Sequence, residues 1–120
     1  MMRYLSMVLV AVFALFGAPA LASDCSGTIT LGGTAQTIFT SSNVRKLMLM
    51  NNSANLMCVS FSGSAATIAG TNCGAGSYTL QPGSATAAGG SFYTDVNGPL
   101  VSTASIISST TGDRYSCERQ

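Results

Sequence analysis

Arg45-Lys46-Leu47-Met48-Leu49-Met50-Asn51-Asn52-Ser53-Ala54-Asn55-Leu56-Met57-Cys58-Val59-Ser60-Phe61 decides the fold class of this chain. Successive side chains of an extended strand point to opposite faces. Leu47 and Leu49 therefore share one side of a strand over Arg45 to Met50, and Met48 and Met50 share the other. A strand apolar on both faces is expected to be central or covered. The Met48/Met50 stripe, with Met57, is accordingly expected to form an inner layer of the core, the alternative being an adaptable partner surface. Asn51 to Asn55 is a polar turn. Leu56 to Phe61 is the next strand, with Met57, Val59 and Phe61 on one face and Leu56, Cys58 and Ser60 on the other. The short connection predicts an antiparallel hairpin.

The same rhythm runs outward in both directions. Thr28 to Leu31 and Ala35 to Phe39 alternate polar and apolar residues, with Gly32-Gly33 between them and a loop at Ser41-Ser42-Asn43. Downstream comes a long small-residue segment, Ser62 to Ser77. It is followed by a short strand at Tyr78-Thr79-Leu80, a turn at Gln81-Pro82-Gly83, a weakly patterned stretch over Ala85 to Thr94 and a turn at Asn97-Gly98-Pro99. A strand over Leu100 to Ser108, a tight turn at Thr111-Gly112-Asp113 and a closing strand over Arg114 to Glu118 complete the chain. Gly, Ser, Thr and Asn are spread throughout and favour turns and strand ends over helix interiors. The pattern predicts an all-β domain, a small antiparallel β-sandwich or flattened barrel.

Residues 1–22 read as a cleaved N-terminal signal helix, leaving one domain over residues 23–120. Arg3 precedes an apolar run from Leu5 to Phe16, Gly17 and Pro19 break the helix, and Ala20-Leu21-Ala22 is a small-x-small cleavage pattern. The run is short for a membrane anchor, and Asp24 is the wrong residue before a lipidated Cys25. The protein is thus expected to be secreted or periplasmic, with a virion or cell surface as the place of action.

Cys25, Cys58, Cys73 and Cys117 all follow the leader. None shows C-x-x-C spacing, and the chain has no His, so metal ligation is not expected. An even cysteine count in an exported chain predicts disulfides. Of the three pairings open to four cysteines, Cys25–Cys117 and Cys58–Cys73 are favoured. The first joins the two ends of the domain, which are often close in space. The second joins a strand to the loop that follows it.

After the leader, Asp24, Asp95, Asp113 and Glu118 balance Arg45, Lys46, Arg114 and Arg119. Bases this few and scattered make no nucleic-acid patch, and anionic membranes are disfavoured for the same reason. A surface so poor in charge fits either a Ser/Thr-rich soluble domain or one covered by other subunits. The lack of His excludes a Ser-His-Asp or Cys-His centre. A Ser–Lys dyad would need Lys46, the only lysine. Asp95 and Asp113 lie in turn contexts where Asp is common. The glycines of Gly70 to Gly76 lack the G-K-[ST] of a phosphate loop. No catalytic residue, cofactor or metal is expected. Asn51-Asn52-Ser53 matches a glycosylation sequon but reads first as an ordinary Asn-rich turn. Loops on a rigid sandwich are where binding usually sits, which makes Asn51, Asn52 and Asn55 in the turn, and Ser62, Ser64 and Asn72 in the long loop, the candidate binding residues.

An ordered set of short motifs covers most of the chain after the leader. It begins with Ser26-Gly27-Thr28 and Gly32-Gly33-Thr34-Ala35-Gln36, and continues through Arg45 to Ser53, Cys58-Val59-Ser60-Phe61 and Ala65-Ala66. Gly76-Ser77-Tyr78-Thr79-Leu80, Pro82-Gly83, Ile106-Ile107 and Thr110-Thr111-Gly112 to Glu118 complete it. This set resembles small β-sandwich proteins of tailed-phage and prophage gene sets, of the head-decoration or tail-associated kind. The resemblance implies a structural module with no catalytic residues to carry over. Such modules assemble in the cytoplasm and need neither signal peptide nor disulfides, so here the resemblance implies a β module reused outside the cytoplasm. The expected function is a non-catalytic structural or adhesion module at a virion or cell surface. A secreted protein that occludes a receptor or inhibits a partner is the second reading. Protein or self-assembly is the expected partnership. Without Trp, a stacking platform for glycans is a weak case.

Overall fold

The computed structural model describes residues 23–84, 87, 89–94 and 101–120; the leader, Asp95 and the Asn97-Gly98-Pro99 turn lie outside them. The described chain is all-β. Its strands are β1 (Ser23–Asp24), β2 (Gly27–Thr28), β3 (Gln36–Val44), β4 (Leu47–Asn51), β5 (Met57–Ser60), β6 (Ile68–Ala69), β7 (Asn72–Cys73), β8 (Tyr78–Leu80), β9 (Ser91–Thr94), β10 (Val101–Ser108) and β11 (Arg114–Arg119). One sheet runs β1-β11-β4-β9, with β2 also on β11, and the other runs β3-β10-β5-β8. Every pairing is antiparallel.

The inner faces of the two sheets supply one core. Leu47, Leu49, Tyr115 and Cys117 come from the first sheet, and Phe39, Val44, Met57, Val59, Leu80, Ala104 and Ile106 from the second. Ile29 is buried with them although it lies beyond β2. Thr28 to Leu31 is therefore not the strand its alternation predicted. Only Gly27 and Thr28 pair with β11, and Ile29 is tied instead to the turn before β11, through Ile29 N to Asp113 O and Gly112 N to Ile29 O. Gly112 takes a φ of 92° there, where a side chain would be strained.

A second, smaller core lies outside the second sheet. Cys58, Ala66 and Ile107 are buried together, with Ala35, Leu56, Ile68 and Cys73 packed around them. The long segment after β5 supplies its roof. The β6-β7 ribbon, the Cys58–Cys73 disulfide and a buried Ser105 hydroxyl hold that roof down. Ser105 Oγ accepts from Ala66 N (2.6 Å) and donates to Ser64 O (3.2 Å). β5 and the last five residues of β10 can therefore be buried on both faces. Both expected disulfides are formed, Cys25–Cys117 and Cys58–Cys73.

Three further expectations need correction. The hairpin between β4 and β5 does not exist: β4 pairs with β11 and β9, whereas β5 pairs with β10 and β8. The polar connection carries the chain from one sheet to the other, because each strand finds both its neighbours far away in sequence. Ser41 to Asn43 is not a loop but lies within β3. Thr40 and Val44 pair with Thr103 and Val101, so four steps of β3 match two of β10, and the bulge absorbs the extra residues. Such bulges also make an edge strand a poor template for foreign strands. Finally, Met48 and Met57 do not share a layer. Met57 is buried in the main core, whereas Met48 is 41% exposed on the outer face of the first sheet.

Candidate functional site

The outer face of the first sheet follows from alternation along β11 and β4. Tyr115 and Cys117 point inward, so Arg114, Ser116 and Glu118 point outward; Leu47 and Leu49 point inward, so Met48 and Met50 point outward. Strand register aligns these residues into rows. Asp24, Glu118, Met48 and Tyr93 stand side by side across β1, β11, β4 and β9, and Ser116, Met50 and Ser91 form the next row. Beyond it, Asn52 N donates to Arg114 O (3.0 Å), and the Asn52 amide donates to Ser116 Oγ. Lys46 extends the other end through paired backbone bonds with Gln120.

Three depressions lie along this face. One of about 320 Å³ is lined by Asp24, Ser26, Met48, Ser116, Cys117 and Glu118. A second, of about 200 Å³, adds Lys46, Tyr93 and Arg119. The largest, about 510 Å³, is polar and lies at the Arg114 end between Thr28 and Asn52. Ser26 shapes the margin: its hydroxyl accepts from Cys117 N (2.9 Å), in the break between β1 and β2. Ser26 also holds the Asp24 carboxyl below the usual range, its side chain and then its backbone N–H bonding the charged form.

The exposed apolar groups on this face are Met48 and Tyr93, the latter 57% exposed. A separate aromatic cluster lies where β8 and β9 bring the edges of the two sheets together. Phe61 stacks on Phe92 at 4.4 Å between ring centres, and Tyr78 tilts against both at 5.7 and 5.5 Å. Among the described residues no three of His, Cys, Asp and Glu come together as a metal site would need.

The candidate residues from the turn and the long loop are not one site. Asn51 is fully buried and cannot be a contact residue. Its amide donates to Asn55 O (2.8 Å) and Leu80 O (3.0 Å), and its oxygen accepts from Ser53 N and Ser53 Oγ (both 2.9 Å). The acceptor asparagine of the sequon is therefore shut inside the fold. Asn55 is half-buried and donates to Asp113 Oδ1 (2.9 Å). Asp113, read from sequence as an ordinary turn residue, is buried and also accepts from Ser108 Oγ. Asn52 alone of the turn residues reaches the outer face of the first sheet. Ser62, Ser64 and Asn72 are exposed on the roof of the second sheet, on the opposite side of the molecule. Sequence reasoning passed over Arg114, Ser116, Glu118 and Tyr93. The polar-apolar alternation of Arg114 to Cys117 was a readable signal for the first three. Tyr93 had none, because β9 is short and the sequence around it is weakly patterned.

No protein-family model matches the chain, and no curated protein or solved structure matches it significantly. The two disulfides are consistent with an oxidising compartment.

Proposed function

We propose that this protein is a non-catalytic, exported structural or adhesion module that seats the outer face of its first sheet against a protein at a cell or virion surface. One observation carries the reading. β4 and β5 are both apolar on two faces, but only β5 has both faces covered. The roof over the second sheet buries Cys58 and Ile107, while Met48 and Tyr93 stay 41% and 57% exposed. A strand that keeps apolar residues on its open face supports a contact there. The leader and the disulfides support work outside the cytoplasm. The polar groups Asn51, Asn55, Ser105, Ser108 and Asp113, which a catalytic reading would recruit, are occupied in bonds that hold turns and roof in place.

Fractionation of exporting cells tests the proposal. Met48→Glu with Tyr93→Ser is expected to move most of the protein from the surface fraction to the medium, with the melting temperature of the purified protein unchanged. A triple change at Ser62, Ser64 and Asn72 is expected to leave the distribution as it was. The opposite outcome, loss on changing the roof and none on changing the sheet, would overturn the assignment of the face.

A further inference from the structure

We infer that the partner of this face is a second copy of the same chain, docked about a two-fold axis through Ser116 and Met50. The inference rests on the reading of the face as a contact surface and adds the identity of its partner. It comes from the order of charges along β11. Arg114, Ser116 and Glu118 are the outward residues of one strand: a cation at one end, a small neutral residue at the centre and an anion at the other end. Four residues of strand separate Arg114 from Glu118 by about 13 Å, too far for them to pair with each other. A two-fold axis lying in the face and crossing β11 at Ser116 inverts that order. It sets Arg114 opposite Glu118 of the second copy and Glu118 opposite Arg114 of the second copy, as an isologous interface requires.

The neighbouring strands obey the same operation. Met50 pairs with Ser116 across the sheet, so it lies near the axis and meets Met50 of the second copy. Met48 is brought over Asn52 of the second copy, which covers the exposed thioether. Asp24 stands beside Glu118, so each guanidinium meets a pair of carboxylates. That relieves a like-charge neighbour pair that is unfavourable in the single chain. Ser116 at the centre is small enough to let two sheets approach to the ordinary face-to-face spacing of about 10 Å, crossed by about 30°. Near the axis such a crossing displaces Arg114 and Glu118 sideways by only a few ångströms, within the reach of both side chains. The face carries Asp24, Glu118, Lys46 and Arg114, with Arg119 at its margin, so its net charge is small and bringing two copies together adds little net repulsion.

Sedimentation velocity of the purified exported protein over a concentration series tests this. The wild type is expected to form dimers that weaken with added salt. Arg114→Glu and Glu118→Arg, each alone, face like charge with like and are expected to weaken association at least tenfold. An equimolar mixture of the two variants is expected to restore it, because both ion pairs are re-formed only in the mixed dimer. Both residues are exposed, so melting temperatures at low protein concentration are expected to match the wild type. A wild type that stays monomeric to millimolar concentration, single variants that associate like wild type, or a mixture that fails to recover would each overturn the inference. If the wild type is monomeric but Met48→Glu with Tyr93→Ser still releases the protein from the surface, the second-copy inference falls. The functional reading then stands with a different protein as partner.

Discussion

Replacing Cys25 and Cys117 together by alanine is expected to lower the stability of the domain by about 4 kcal/mol, more than the loss of the other disulfide. The bridge spans 92 residues of sequence, so in the chain-entropy picture it removes more freedom from the unfolded chain than Cys58–Cys73, which spans 15. The folded state has little to offset the loss, because β1 and β2 are two residues each and border β11 by short ladders. A domain of this size has about 5–15 kcal/mol in all, so a fall of roughly 20 °C in melting temperature is expected. Removing Cys58 and Cys73 should cost less, about 3 kcal/mol, and should act through the roof over the second sheet. Thermal melts of the two double variants check both figures. A change of under 2 °C for Cys25→Ala/Cys117→Ala would mean that the β core is self-sufficient.

Asn51→Leu is expected to cost about 3 kcal/mol, although it keeps the size of the side chain and adds apolar surface. The native amide is fully buried at the end of β4 and makes four hydrogen bonds, two donated and two accepted. One of them, to Leu80 O, ties the first sheet to the second. Leucine leaves the Leu80 carbonyl buried without that donor and releases the turn that carries the chain between the sheets. Asn52→Leu, one residue on but exposed, should change stability by less than about 0.5 kcal/mol. Denaturant titrations of the two variants side by side measure the difference. Equal midpoints would contradict the role assigned to Asn51.

That contrast shows where sequence reading succeeded and where it stopped. The all-β class, the disulfide pairing and the closing strand were legible because they rest on local signals: alternation, Gly112 in a tight turn, and cysteines at the ends of a short domain. The choice of neighbours was not. β4 and β5 carry the same two-faced apolar pattern and a hairpin-length connection, and nothing in that pattern says that their partners are β11 and β10. Met48 and Met57 are chemically identical, and only the sheet to which each belongs makes one surface and the other core. Asn51, Asn52 and Asn55 all read as turn residues. Their fates diverged because a buried turn recruits one amide to satisfy its carbonyls, and which one depends on where Leu80 arrives. Ser41 to Asn43 read as loop because small polar residues mark bulges and loops alike.

Hydroxyl-radical footprinting tests the central claim most directly, by comparing the isolated monomer with the protein held at the surface where it works. The outer face of the first sheet as the working surface predicts that Met48 and Tyr93 become protected in place, while Tyr78, in the aromatic cluster between the sheet edges and off that face, is oxidised equally in both states. Protection of Tyr78 with Met48 and Tyr93 unchanged would contradict it.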